Sequence, residues 1–167
     1  ECVLIAWVYG IRRFLAELPK PGPAAEEGRA YRTVRTGKEF DALLAELRSA
    51  PVLAFDTETT GIDPLAARPV GLSFSTAPKT AWYVPLNLEP TIFGGPPGSD
   101  AAPVFEALRP IMEDPAVRKA GQNAKYDLLV YRCAWLRPEG LVHDTMVLSF
   151  LLDPQERTHN LDDLSDR

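Results

Sequence analysis

The stretch Phe55-Asp56-Thr57-Glu58-Thr59-Thr60-Gly61 follows the apolar run Pro51-Val52-Leu53-Ala54 and leads into the turn-prone Thr60-Gly61-Ile62-Asp63-Pro64. An apolar run of this length between turn signals predicts a central strand over Pro51 to Thr57. Asp56 and Glu58 are spaced i and i+2, and strand periodicity puts both on one face. A carboxylate at the end of a buried strand is costly unless it is paired or bound to a metal. Two of them a few ångströms apart repel, and a divalent cation between them favours both ionised forms. Oxygen-only ligands suit Mg²⁺ or Mn²⁺. On the residues alone a second reading stays open, in which Asp56 caps the following turn and Glu58 sits in solvent.

Outward from this strand, Tyr31 to Arg35 alternates and predicts another. Thr36-Gly37-Lys38-Glu39 has the spacing of a capping box, and Phe40, Leu43, Leu44 and Leu47 behind it form one stripe of an amphipathic helix. Strands are expected over Val70 to Ser75 and Ala81 to Pro85, joined by a Pro78-Lys79 turn, so that three successive strands lie at one edge of a sheet. Residues 87–103 are rich in Pro and Gly and predict a long surface loop. Beyond Pro103 the pattern alternates: helix Val104 to Glu113, strand Ala116 to Ala120, helix Gln122 to Cys133, strand Leu141-Val142, then helix Thr145 to Leu152 with Asp144 as N-cap and Asp153-Pro154 as its stop. A further helix begins at Asn160. This order predicts an α/β fold, a mixed sheet flanked by helices.

The second chemical feature is Gly121-Gln122-Asn123-Ala124-Lys125-Tyr126-Asp127. Asn123 and Asp127, four apart, are expected on one helix face with Tyr126 beside them. If that helix approaches the strand, Asp127 completes a three-carboxylate cluster. A solvated aspartate on an amphipathic helix is the other reading.

The chain has 167 residues, 46% of them hydrophobic and 25% charged, which suits one domain with a sizeable core. Its net charge of −5 argues against general polyanion binding. Nucleic acid would have to be met locally, through a few basic side chains, metal ions or an attached neighbour. Cys2 and Cys133 form no C-x-x-C pair and are read as free thiols of a reducing cytoplasm. Cys2 to Tyr9 is apolar but too short to span a bilayer. Residues 1–18 are expected to form a helix. Residues 19–30, with Pro19, Pro21 and Pro23, are expected to form a linker, and the folded unit to begin at Tyr31. Glu1 at the start, and the absence of a stop signal before Arg167, read as cuts in a longer chain.

Asp-x-Glu on a strand, followed roughly 65 to 70 residues later by Asn-x-Lys-Tyr-Asp on a helix, resembles the DnaQ-like exonuclease superfamily of ribonuclease H-like fold. More closely, the chain from about Val34 onward is similar to the 3′→5′ proofreading domain of bacterial family A DNA polymerases. The shared stretches include Val70 to Ser75, Ala81 to Leu86, Asp144-Thr145-Met146 and His159 to Leu164. The resemblance implies two-metal hydrolysis of the 3′-terminal phosphodiester, with two Mg²⁺ or Mn²⁺ ions held by Asp56, Glu58 and Asp127. It implies that Thr59, Asn123 and Tyr126 support the substrate and that Ile62 wedges against the terminal base of a frayed single strand of DNA. It further implies a monomeric, cytoplasmic bacterial protein with a polymerase region in the same chain, residues 1–18 being the end of a 5′ nuclease region. The family's last motif, a Tyr or His four residues before an aspartate, has no counterpart up to Arg167. The 167 residues are therefore expected to be an incomplete, C-terminally truncated domain with little or no activity alone. A ribonuclease D-like RNA exonuclease and a non-catalytic scaffold of the same fold are the alternatives. His143, His159, Trp7, Trp82 and Trp135 are expected to be structural.

Overall fold

Thr36 opens the first helix through the reciprocal bonds that its sequence predicts. The Glu39 amide donates to Thr36 Oγ1 at 3.3 Å and the Thr36 amide donates to Glu39 Oε2 at 3.0 Å. In the computed structural model, residues 30–96, 98–161 and 164 are described; the helix expected over 1–18 lies outside them, as does the 19–30 linker except for Ala30. The elements are β1 (Ala30–Thr33), α1 (Gly37–Ser49), β2 (Leu53–Thr59), β3 (Pro69–Ser75), β4 (Thr80–Pro85), α2 (Ala101–Met112), β5 (Lys119–Gly121), α3 (Ala124–Cys133), β6 (Leu141–Asp144) and α4 (Thr145–Leu152). Helix α1 buries Phe40, Leu43, Leu44 and Leu47. Burial of each such side chain is worth about 1.5–3 kcal/mol.

Among the described residues six strands form one sheet in the order β1-β4-β3-β2-β5-β6. Strands β2, β3 and β4 form an antiparallel meander, whereas β1 joins β4, and β5 joins β2, in parallel. The meander is therefore not the sheet edge that its sequence suggests. Strand β1 covers it, with the Ala30 amide donating to Lys79 O at 2.8 Å and the Arg32 guanidinium stacked 4.9 Å above the Trp82 ring. Strand β2 lies inside the sheet, but β5 pairs with it only at Leu53 and Ala54. The stretch carrying Asp56, Thr57 and Glu58 thus runs past the end of β5.

Two boundaries differ from the sequence reading for local reasons. The 87–103 segment is not simply a surface loop. Ile92 is in the core, and the buried Asp100 carboxylate accepts from the Ile92 amide at 2.8 Å and the Phe93 amide at 3.4 Å. The loop end is thereby pinned and α2 begins at Ala101, ahead of Val104. Strand β5 is shorter than the expected 116–120 and shifted toward Gly121, because the chain before it turns. There the Ala116 amide donates to Asp114 Oδ1 at 2.8 Å, and Lys119 Nζ donates to the carbonyls of Asp114 and Val117 at 3.0 and 2.7 Å. One core, built from Val34, α1, the inner strands, α2, Ala124, Tyr131 and Leu136, lies against the sheet face that carries Leu53, Phe55, Leu72, Phe74, Trp82 and Val84. No helix among the described residues is long and apolar enough to cross a membrane.

Candidate active site

Strand β2 presents Asp56 and Glu58, both half-buried, on the face opposite Phe55 and Thr57. Their cross-strand partners on β3 are Ser73 and Gly71. Thr57, fully buried, uses two donors on one acceptor: its amide reaches Asp127 Oδ1 at 3.0 Å and its hydroxyl reaches the same oxygen at 2.6 Å. Asp127 lies in the first turn of α3 and is 2% exposed. Its carboxylate is thereby held against the peptide group that joins Asp56 to Thr57, at the end of β2 that β5 leaves uncovered. Charge-assisted bonds of this kind are about twice as strong as neutral ones.

One helical turn beyond Asp127, Tyr131 is fully buried, edge-on to Phe55 and Phe105 at 5.8 and 5.7 Å between ring centroids. Burial pushes its phenol well above the ordinary value, and the charges of Asp127 and Asp56 add to the shift. A single buried ring thus feels carboxylates from both elements. The three-carboxylate cluster expected from the sequence is not assembled: among the described residues no three His, Cys, Asp or Glu side chains are grouped so as to hold one ion. Asp127 meets Thr57, whose side chain lies on the face of β2 opposite that of Asp56 and Glu58. The donors available are hard carboxylate oxygens, the kind that Mg²⁺ and Mn²⁺ take.

Past Glu58, the Tyr126 hydroxyl ties down the turn. It lies 2.6 Å from Thr59 Oγ1 and donates to Gly61 O at 2.5 Å, while Thr59 Oγ1 itself is 2.9 Å from Gly61 O. Ile62 follows this anchored turn and is 96% exposed. Asn123 behaves differently from its sequence reading. It precedes α3 in the left-handed region (φ 52°, ψ 41°), so it does not share a helical face with Asp127. Its amide and that of Ala124 donate to the Asp144 carboxylate at 3.1 and 2.8 Å. The same carboxylate accepts from Met146 and Val147 at 3.0 and 3.3 Å, so Asp144 starts both α3 and α4. This double capping, and the Thr57 anchor for Asp127, were not foreseen. A threonine between two strand acids is the only signal that pointed to the anchor.

The remaining singled-out residues have structural roles or none that the contacts define. His159 Nδ1 is 2.9 Å from Ser149 Oγ, its carbonyl accepts from Gln122 Nε2 at 2.9 Å, and its ring meets Phe150. Trp82 is buried and donates to Glu46 at 2.9 Å. Trp135, by contrast, is 86% exposed and covers no core. Cys133 is an exposed free thiol; Cys2 and Trp7 lie outside the described residues. An apolar groove of about 560 Å³ is lined by Met146, Val147, Phe150, Leu151, His159 and Asn160, none of them an expected site residue.

Residues 31–167 match the family model described as 3′-5′ exonuclease. The chain belongs to this 3′–5′ exonuclease family. The exonuclease chain is 38% identical over 164 residues to DNA polymerase I of Pseudomonas aeruginosa, covering 95% of this chain and 18% of that protein. With DNA polymerase I of Rhizobium leguminosarum it shares 34% over 153 residues, covering 83% and 15%. The exonuclease chain thus spans less than a fifth of the length of these relatives. Among solved structures, it is similar to the polymerase domain of Pol1 from M. smegmatis in complex with DNA primer-template and dNTP (TM-score 0.61, 23% identity, 81% of this chain and 22% of that one). It is also similar to the catalytic core of RRP6 from Trypanosoma brucei (0.59, 16%, 79% and 33%) and to Brucella melitensis NrnC with bound Mg²⁺ (0.52, 18%, 81% and 58%). At these identities the likeness carries the fold alone: an α/β, ribonuclease H-like mixed sheet with helices.

Proposed function

We propose that this exonuclease domain edits DNA, removing 5′ nucleotides from a frayed single-stranded 3′ end. The observation that best supports the reading is the pair of bonds to the Asp127 carboxylate from Thr57, the residue that stands between Asp56 and Glu58 in β2. Asp56, Glu58 and Asp127 would hold two divalent ions, Mg²⁺ or Mn²⁺. Bound there, such ions supply a low-pKa water and neutralise charge on the attacking and leaving oxygens of an in-line displacement. The polypeptide's part is positional. Thr57 keeps Asp127 facing β2, and Tyr126 holds the Thr59–Gly61 turn so that Ile62 projects into solvent, where a terminal base can stack. Thr59, Tyr126 and Asn123 are offered as contacts to the terminal nucleotide, Asn123 from its exposed position before α3.

DNA is preferred over RNA as substrate because the sequence relatives are DNA polymerase I, whereas the likeness to Trypanosoma brucei RNase D in complex with RNA U12, at 17% identity, rests on fold. In this reading residues 31–167 are the editing domain, residues 19–30 a linker and residues 1–18 the end of a 5′ nuclease region. The whole would be a monomeric, cytoplasmic bacterial polymerase whose polymerase region lies in the same chain. The Tyr or His that orients the water, and a last aspartate, would come from further residues, so the 167-residue chain is expected to cleave poorly.

The test measures Mn²⁺ binding by paramagnetic resonance, and release of 5′ nucleotides from labelled single-stranded DNA and RNA. It uses the 167-residue chain and a longer polypeptide containing it, each with and without Asp56→Ala. Weak cleavage by the short chain, strong metal-dependent DNA cleavage by the long one, and loss of both binding and cleavage in Asp56→Ala are expected. Metal binding and cleavage that survive Asp56→Ala would overturn the site. Preferential cleavage of RNA would move the domain to the ribonuclease D-like reading, and no cleavage by the long chain to the scaffold reading.

A further inference from the structure

The register of β2, β3 and β4 puts Asp56, Ser73 and Tyr83 in one cross-strand row and Glu58, Gly71 and Pro85 in the next, all on the face that carries the acids. Of these strand residues Tyr83 is the only aromatic one. Strands lie about 4.8 Å apart, so β4 is two spacings from β2, and an ordinary side chain on β3 would separate Tyr83 from Glu58. Gly71 removes that barrier. A Cβ built on Gly71 would lie 2.5 Å from Cε2 and Cζ of Tyr83, and nearer still to its hydroxyl. The tyrosine ring therefore occupies the volume that any other residue at position 71 would fill, and it crosses β3 diagonally toward Glu58. Burial raises the Tyr83 phenol above its ordinary value, and the negative charge of Glu58 adds to the rise, in keeping with a hydroxyl that ends beside that carboxylate.

We propose that Tyr83 is a positioning residue for Glu58: its ring, laid across Gly71, carries the phenol hydroxyl to the β4 side of the carboxylate, and that hydroxyl orients it. This rests on the metal-holding role given to Glu58 above. Outer groups that orient a metal ligand typically contribute about 10- to 100-fold to metal affinity. The proposal makes Gly71 part of the same device. Any side chain there must push the Tyr83 ring off the strand, although position 71 touches no substrate in this reading.

Mn²⁺ affinity measured by paramagnetic resonance, with thermal melts to confirm folding, tests this in the 167-residue chain. The variants are Tyr83→Phe, Gly71→Ala, Glu58→Gln and the double variant Tyr83→Phe/Glu58→Gln. Tyr83→Phe keeps the ring volume, so the fold should persist, and the expected effect is about tenfold weaker Mn²⁺ binding. Gly71→Ala should weaken binding at least as much. In the Glu58→Gln background, Tyr83→Phe should change nothing further, which a merely structural role would not produce. The proposal is overturned if Tyr83→Phe leaves Mn²⁺ affinity within twofold of the parent, or if its effect is undiminished in the Glu58→Gln background. If Glu58→Gln itself binds like the parent, the metal role of Glu58 fails, and the positioning role with it. A normal Tyr83→Phe beside a weakened Glu58→Gln sinks the positioning role alone.

Discussion

Asp144 offers the sharpest test of how the fold holds its acids in place. One carboxylate accepts four backbone amides: Asn123, Met146 and Val147 on Oδ1, and Ala124 on Oδ2. Asp144→Ala removes the cap of α4 and the clamp on the start of α3 together. A lost N-cap costs about 1 kcal/mol, up to about 2, so two helix starts should cost about 2–4 kcal/mol. For a domain of this size that is a fall in melting temperature on the order of 10 °C. Asp144→Asn should cost less, because its carbonyl oxygen can take the Oδ1 place and keep three of the four donors. Only the Ala124 amide would then face an NH₂ group, for a loss of about 1–2 kcal/mol. Urea denaturation followed by circular dichroism gives both numbers, and amide exchange at Thr57 reports whether Asp127 has moved. A cost below 1 kcal/mol for Asp144→Ala, or equal costs for the two variants, would refute the clamp.

Three further outcomes follow from the same contacts. Thr57→Val keeps the shape but deletes the 2.6 Å hydroxyl donor to a carboxylate that is 2% exposed; a loss of about 1.5–3 kcal/mol is expected in urea unfolding, together with weaker Mn²⁺ binding. Tyr126→Phe frees Thr59 Oγ1 and Gly61 O from their phenol; amide exchange across residues 60–63 should quicken while global stability falls by about 1 kcal/mol, and unchanged exchange would show that the turn holds without it. Burial lowers the Lys119 ammonium from 10.5 to about 8, against the opposing charges of Asp114 and Glu139, so the unfolded chain binds the extra proton between those values. Stability should therefore rise as pH increases from about 8 toward 10.5, and Lys119→Met should abolish that rise in urea titrations at the two ends.

Much of this architecture is legible because it is local. The capping box at Thr36, the α1 stripe, the 70–75 and 81–85 strands and the Asp144 cap of α4 each depend on residues within a few positions of one another, and each forms as its spacing predicts. What the spacing could not supply is who meets whom across the chain. Nothing in Tyr31 to Arg35 says that this strand will lie parallel to β4, since parallel pairing is set by a crossover of the chain and not by an adjacent turn. Asp100 falls inside the loop expected over 87–103, and nothing in its near neighbours shows that the Ile92 and Phe93 amides claim its oxygens.

Asn123 failed as a helical neighbour of Asp127 for a similar reason. A helix template assumes right-handed backbone from the first matching residue, but an asparagine tolerates the left-handed region, and here the chain uses it to turn from β5 into α3. The turn is also what aims Asp127. Had α3 begun at Gln122, as the periodicity suggests, the helix would have entered earlier and Asp127 would have sat at a different angle to β2. The Asp144 carboxylate stops that by gripping the two amides where right-handed helix begins. The position of the helix carboxylate is thus set by a left-handed asparagine and by an aspartate 21 residues further along the chain. The same logic predicts that Asn123→Gly, which adopts φ above zero without strain, leaves Asp127 in place and the Thr57 amide protected. Asn123→Val, which resists that region, should loosen both.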